Sequence, residues 1–209
     1  MDNTYEYYLT FKFGPHYKEM LAMPRWKYLN LEFFDNTFYM NGQMHSIMRD
    51  KHGSLMPARI HNNIVEWYKC GKLHNDEKNI NGQSLPAVIC GGESKMHFID
   101  GNLHNECRDA DGYLYSAVNI NSKDYKSLKH LLPEILHYEN AEINACFKHG
   151  KLHNDDIGGD GYYFPAAYIK MDDGSDELYI NARDGVLGNS TVDGITRPAI
   201  ISKNNKTYN

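Results

Sequence analysis

No stretch of this chain approaches the roughly eighteen apolar residues that a membrane-crossing helix requires. Its start, Met1-Asp2-Asn3-Thr4-Tyr5-Glu6, lacks the basic residues and apolar run of a secretory signal. Positive charge is also scarce: 22 Lys and Arg face 27 Asp and Glu, for a formal net charge of -5. A protein that tracks nucleic acid needs a basic face to neutralise phosphates, and no Lys/Arg cluster supplies one. Anionic membrane surfaces are disfavoured on the same ground. The four cysteines, Cys70, Cys90, Cys107 and Cys146, form no C-x-x-C pair and no zinc-like spacing. They read as free thiols in a reducing cytosol. There is no G-x-S-x-G elbow, Walker loop or H-E-x-x-H helix, so no catalytic residue, cofactor or metal is expected.

Aromatic residues, in contrast, are plentiful. Sixteen tyrosines and eight phenylalanines against 23% charged residues exclude a disordered composition. A mean hydropathy of -0.64 suits a thin structure with much surface per residue.

The chain repeats itself. Aligned on Gly42, Gly71, Gly101 and Gly150, four segments carry an aromatic three residues earlier (Tyr39, Tyr68, Phe98, Phe147). Leu or Met follows the glycine at the second position (Met44, Leu73, Leu103, Leu152) and His at the third (His45, His74, His104, His153). A second glycine comes later (Gly53, Gly82, Gly112, Gly161), and then Pro57-Ala58, Pro86-Ala87, Ser116-Ala117 or Pro165-Ala166. With glycine near 7% of average usage, four aligned second glycines have a chance of about two in 100,000. A fifth, degenerate segment, Leu178-Tyr179-Ile180-Asn181-Ala182-Arg183, aligns with Ala182 in the glycine place and keeps Gly194 and Pro198-Ala199 one residue later.

Asn41-Gly42 and Asp100-Gly101 are strong signals for two-residue hairpins, whose turn residues both take positive φ. Cys70-Gly71 and His149-Gly150 are weaker forms of the same turn. Alternation on either side, as in Lys72-Leu73-His74-Asn75, predicts half-buried strands. The Leu85-Pro86-Ala87-Val88-Ile89 stretch predicts another, with proline at its start. Each unit therefore reads as a hairpin plus a strand. The long interval between Gly101 and Gly150 marks an insertion at about 119–142. Within it Leu128, Leu131, Leu132, Ile135 and Leu136 share one helical face, with Ser122 as a candidate N-cap and Pro133 as a kink or restart. Residues 1–32, aromatic but off the pattern, read as a cap on the array, and 202–209 as a tail.

At Trp67-Tyr68-Lys69-Cys70-Gly71-Lys72-Leu73-His74-Asn75-Asp76 and Leu85-Pro86-Ala87-Val88-Ile89 the chain resembles the divergent MORN-type repeats of large DNA viruses, bacteriophages and some bacteria. Their unit reads W-Y-x-N-G-K-x-H-R/N-D…L-P-A-V/I, and the resemblance covers residues 33–201. It implies a β-sheet array that mediates contacts and implies no shared reaction. The insertion and the loss of the His and first glycine in the fifth segment depart from the pattern.

Three features compete for a functional role. His45, His74, His104 and His153 form a ladder, three of them followed by Asn and an acid, but a repeat sets equivalent residues side by side, whereas zinc needs convergence. The structural role, a hydrogen bond to a neighbouring turn, is the expectation. Asp109-Ala110-Asp111-Gly112 matches the opening of a calcium loop but lacks its later ligands, and reads as the repeated turn. Units three and four place Tyr113, Tyr115, Tyr162 and Tyr163 where the first two carry Ser, Gln, Leu or Met, on both sides of the insertion in sequence. With Leu128 and Leu132 these tyrosines are the candidate partner-binding residues.

The expectation is thus a mostly β, single-layer antiparallel array of five units with one inserted helix. Its expected function is non-enzymatic binding of a protein whose identity the residues do not name. The resemblance extends this to a viral or phage accessory protein in the host cytosol that binds and can inhibit a host protein or defence factor. A structural virion or assembly component is the alternative, an enzyme with a site near the insertion the outsider, and the array edges leave self-association open.

Overall fold

The structure, a computed structural model, describes residues 31–34, 37–49 and 53–203. The expected N-terminal cap lies outside these residues except for its last two positions, as does the tail beyond Lys203. The chain forms the expected mostly β architecture, dominated by one twelve-stranded antiparallel sheet. Eleven strands follow one another in chain order: Leu31–Phe34, Thr37–Met40, Arg59–His61, Ile64–Glu66, Val88–Cys90, Ser94–Met96, Val118–Ile120, Ala141–Ala145, Ala167–Met171, Glu177–Ile180 and Ile200–Ser202. The twelfth, Gln43–Met44, pairs beside Thr37–Met40. Consecutive strands are neighbours, so the sheet is a meander assembled from local contacts.

Alternation decides which residues face the core. Val88 opposes Met96 and Cys90 opposes Ser94, all four buried, while Ile89 and Lys95 point the other way. The alanines just before three of these strands are fully enclosed: Ala58, Ala87 and Ala117 show no exposed surface. A larger side chain there would have to displace packed neighbours. One contiguous cluster of buried side chains runs from Ala58 to Ala182.

Beside the sheet stands a row of two-residue hairpins: Tyr68–Lys69 with Lys72–Leu73, Phe98–Ile99 with Asn102–Leu103, Phe147–Lys148 with Lys151–Leu152, and Ala182–Arg183 with Val186–Leu187. Their turns all take positive φ at both residues, including the weaker Cys70-Gly71 (50° and 76°) and His149-Gly150 (48° and 77°). Each turn glycine donates to the preceding hairpin: Gly71 N to Met44 O (2.9 Å), Gly101 N to Leu73 O (2.8 Å), Gly150 N to Leu103 O (2.8 Å) and Gly185 N to Leu152 O (2.9 Å).

That last bond corrects the alignment of the fifth segment. Gly185, three residues beyond Ala182, occupies the anchor position, and Ala182 stands where Tyr68, Phe98 and Phe147 stand. Tyr179, the residue aligned with those aromatics in sequence, lies instead in the sheet strand Glu177–Ile180, opposite Tyr168. The segment kept its turn and lost its ring, so a motif anchored on an aromatic slid onto the wrong residue.

The insertion replaces the turn between Val118–Ile120 and Ala141–Ala145. It carries the expected helix as one short run of ten residues, 122–131, irregular in kind. A 3₁₀ turn at Ser122–Asp124 leads to a single α turn at Tyr125–Leu128, then to 3₁₀ turns at Lys129–Leu131 and Glu134–Leu136. Leu132 and Pro133 break the run with ψ of 144° and 150°, because a residue before proline is pushed out of the α region. The cap is Asn121, one residue before Ser122, whose side chain accepts from Lys123 N. The leucine face nevertheless packs inward: Tyr125, Leu128, Leu132 and Leu136 are buried in the common core. Asp124 ties the insertion to the neighbouring hairpin by accepting from Ser94 Oγ (2.6 Å). Gly91 leaves room for it, since a Cβ there would sit 3.1 Å from Asp124 Oδ1.

Candidate functional site

The repeated histidines join neighbouring hairpins. In every case the ring Nδ1 accepts a backbone N–H from the turn of the next unit: Cys70 N to His45 (3.1 Å), Asp100 N to His74 (3.0 Å), His149 N to His104 (3.1 Å) and Asp184 N to His153 (3.1 Å). A nitrogen that accepts carries no proton, so the neutral ring holds its hydrogen on Nε2. In the last three, that Nε2 faces the acid two residues later, with 3.1 Å from His74 to Asp76, 3.8 Å from His104 to Glu106 and 3.7 Å from His153 to Asp155.

The closest approach to a metal centre among the described residues is His104, Glu106 and His149, whose ligand atoms lie within 4.8 Å of one another. The rings of His104 and His149 stack at 4.5 Å, and Lys148 Nζ already stands 3.6 Å from Glu106. Coordination through His104 Nε2 would move its proton to Nδ1 and break the bond from His149 N. The ladder geometry thus works against a metal. The calcium-like segment has an equally local explanation. Asp109 Oδ1 accepts from Asp111 N (3.0 Å) and Tyr113 N (2.9 Å), and neutral Asn79 does the same for Asn81 and Gln83 one unit earlier.

The asparagine after each of the last three histidines braces its loop. Asn75 Oδ1 accepts from Glu77 N (3.1 Å) while Nδ2 donates to Pro86 O (2.9 Å). Asn105 and Asn154 repeat both bonds. The position that begins each hairpin arm varies widely in chemistry yet makes comparable contacts. Trp67 Nε1 donates to Leu55 O (3.0 Å), Asn181 Nδ2 to Pro198 O (3.1 Å), and the ring of His97 bonds the Leu85 carbonyl. Burial pushes the His97 pKa down to about 4, with Lys95 adding to the shift. Burial likewise pushes the Cys90 and Cys146 thiols up to about 11, which makes them poor nucleophiles at neutral pH.

The six residues expected to bind a partner do not form one surface. Leu128 and Leu132 are buried in the core. The tyrosines precede their sheet strands, whereas the insertion leaves from the far end of Val118–Ile120, so they do not rim it. Each reaches sideways into a neighbouring loop instead. Tyr115 OH accepts from Gln83 Nε2 (2.6 Å). Buried Tyr162 donates to Ile195 O (3.2 Å) under the guanidinium of Arg197, and Tyr163 OH accepts from Arg183 (3.1 Å). Tyr113 alone of the four is exposed, edge-on to Phe164 at 5.1 Å. Sequence reasoning missed Phe164, Ile157, Val186, Leu187 and Ile195, all exposed. Ile157 and Phe164 lie in polar loops, whereas Val186, Leu187 and Ile195 lie in hairpin arms.

A groove of about 390 Å³ between units two and three is lined by His97, Gln83, Cys107, Tyr115 and Asn119. Its polar groups are largely engaged with one another, as in Ser84 N to Cys107 Sγ (3.2 Å). A scan of protein-family models, a search of curated proteins and a search of solved structures each found no match to this chain.

Proposed function

We propose that this chain is a non-enzymatic protein-interaction module whose contact surface is the loop face of units three to five. One observation carries the reading. Seven large hydrophobic side chains are exposed among the described residues, and six of them (Tyr113, Ile157, Phe164, Val186, Leu187 and Ile195) belong to that half of the array. Scattered apolar residues need no explanation, but a set concentrated in one half of the array, on loops and hairpin arms, is the composition of a contact surface. In units three and four those loops are braced by Asn105, Asp109 and Asn154, and loops already ordered lose little entropy on binding.

The partner on this reading is a protein. The resemblance to viral and phage repeats supports a host protein as the target, with the chain an accessory factor in the host cytosol. The test is affinity capture with the full chain from host extract, comparing wild type with Tyr113→Ala and Phe164→Ala. A protein captured at fixed stoichiometry, and lost at least tenfold in affinity in one variant, supports the surface. Capture that ignores both variants and depends on units one and two would overturn it.

A further inference from the structure

Each hairpin of the row is bonded to the next along one strand edge. Leu73 O accepts from Gly101 N (2.8 Å), and Asn75 N donates to Phe98 O (3.0 Å). Leu103 and Asn105 repeat this with Gly150 and Phe147, and Leu152 and Asn154 with Gly185 and Ala182. In the fifth hairpin the matching edge is Leu187-Gly188-Asn189. The same internal bond shapes it, since Gly188 N donates to Asn181 O as His74 N donates to Trp67 O. Neither Leu187 O nor Asn189 N has a hydrogen-bond partner among the described residues. The other end of the row is closed. Strand Leu31–Phe34 lies antiparallel along the first hairpin, with Leu31 opposite Met40 and Glu32 opposite Tyr39, and takes the place of a preceding unit.

The centre of the open edge differs from its counterparts in a way that selects what fits. In units one to four that residue is a histidine, whose Nδ1 takes the additional N–H presented by the next tight turn. Gly188 offers no such acceptor, so a sixth hairpin would leave a turn N–H unpaired. A straight strand presents no surplus donor. The edge is also complementary to itself. When Gly188 faces Gly188 of a second copy in antiparallel register, each Asn189 N donates to the other copy's Leu187 O across a two-fold axis. The two Leu187 side chains then lie diagonally on one face of the pair. This covers a leucine that is 43% exposed, against 9%, 6% and 5% for Leu73, Leu103 and Leu152. The closed head offers no matching edge for head-to-tail growth of the row, so the association stops at two. We infer that this chain forms a two-fold dimer by pairing the strand edge at residues 187–189.

Sedimentation equilibrium with the full chain tests this. A dimer with Kd on the order of 100 µM is expected, because so short an edge falls below the roughly 1,200 Å² of a stable interface. The dilute chain is therefore monomeric, with one side of its fifth hairpin bare. Gly188 is exposed, its φ lies outside the left-handed region, and nothing stands within 4 Å of an added Cβ. Side chains at this position therefore leave the fold intact, which far-UV circular dichroism of each variant checks. Gly188→Lys and Gly188→Glu each set like charges face to face in the dimer and should weaken it at least about threefold. An equimolar mixture pairs Lys with Glu and should dimerise more tightly than either variant alone. A wild type that stays monomeric to about 500 µM, or that grows beyond a dimer, would overturn the inference. So would a variant that dimerises as well as wild type, or a mixture no tighter than its two components. The pairing needs no other protein. Its failure leaves the capture test at Tyr113 and Phe164 standing, and failure of capture leaves the dimer standing.

Discussion

Glu66 is the most deeply buried charge among the described residues, 1% exposed, and its neighbour across the strand pair is Arg59. The guanidinium bonds the carboxylate and reaches the Tyr68 hydroxyl at 3.2 Å. Burial, with the charge of Glu66, pushes the Tyr68 pKa up to about 12, so that hydroxyl keeps its proton. Removing one partner of a buried pair leaves the other uncompensated. Arg59→Met should therefore cost about 3–5 kcal/mol in urea unfolding, and Glu66→Gln in the same chain should recover part of the loss. His97 makes a second prediction, on acid stability. Its folded pKa of about 4 lies below the unfolded value of 6.5, so between those pH values only the unfolded chain holds the proton. Its contribution is complete above about pH 6.5 and disappears progressively as pH falls toward 4, about 3 kcal/mol in all. Burial lowers His45 and His104 too, and these act in the same direction. The difference between wild type and His97→Gln across pH 4–6.5 isolates the one ring, and equal slopes would contradict its burial.

Among the elements, the insertion and the hairpin row behave differently. The insertion has little regular helix to sustain it, so packing holds it, and Leu136 is fully buried. Leu136→Ala should cost about 2–5 kcal/mol, whereas exposed Glu134→Ala should change stability by less than about 0.5 kcal/mol. Equal effects would mean that the insertion does not dock as described. The hairpin row depends on histidine Nδ1 atoms accepting from the next turn. Metal would compete with that bond rather than support it, so EDTA should leave the melting temperature unchanged. A drop on chelation, reversed by zinc, would replace the hydrogen-bonded row with a metal-bound one.

At the scale of the molecule, a meander of local pairings should be most stable where each unit has neighbours on both sides. Hydrogen exchange at the bonded glycine amides of the inner hairpins, Gly101 and Gly150, should therefore be slower than at the fifth hairpin around Val186 and Leu187. Uniform protection along the row would contradict additive stacking. The sequence by itself determined the turns and the strand alternation, because positive φ at Asn-Gly or Asp-Gly and a period of two are properties of adjacent residues. It also marked where regularity fails, at the insertion and at the degenerate segment. Only the tertiary structure decided what those failures mean. Whether Tyr179 or Ala182 stands in the aromatic position could not be told until the bond from Gly185 to Leu152 set the register. Tyr113 and Tyr162 look equivalent in sequence, yet one is exposed and the other lies under Arg197. Such differences come from contacts between units, where burial and hydrogen-bond partners belong to a pair of distant residues and neither one's local sequence records them.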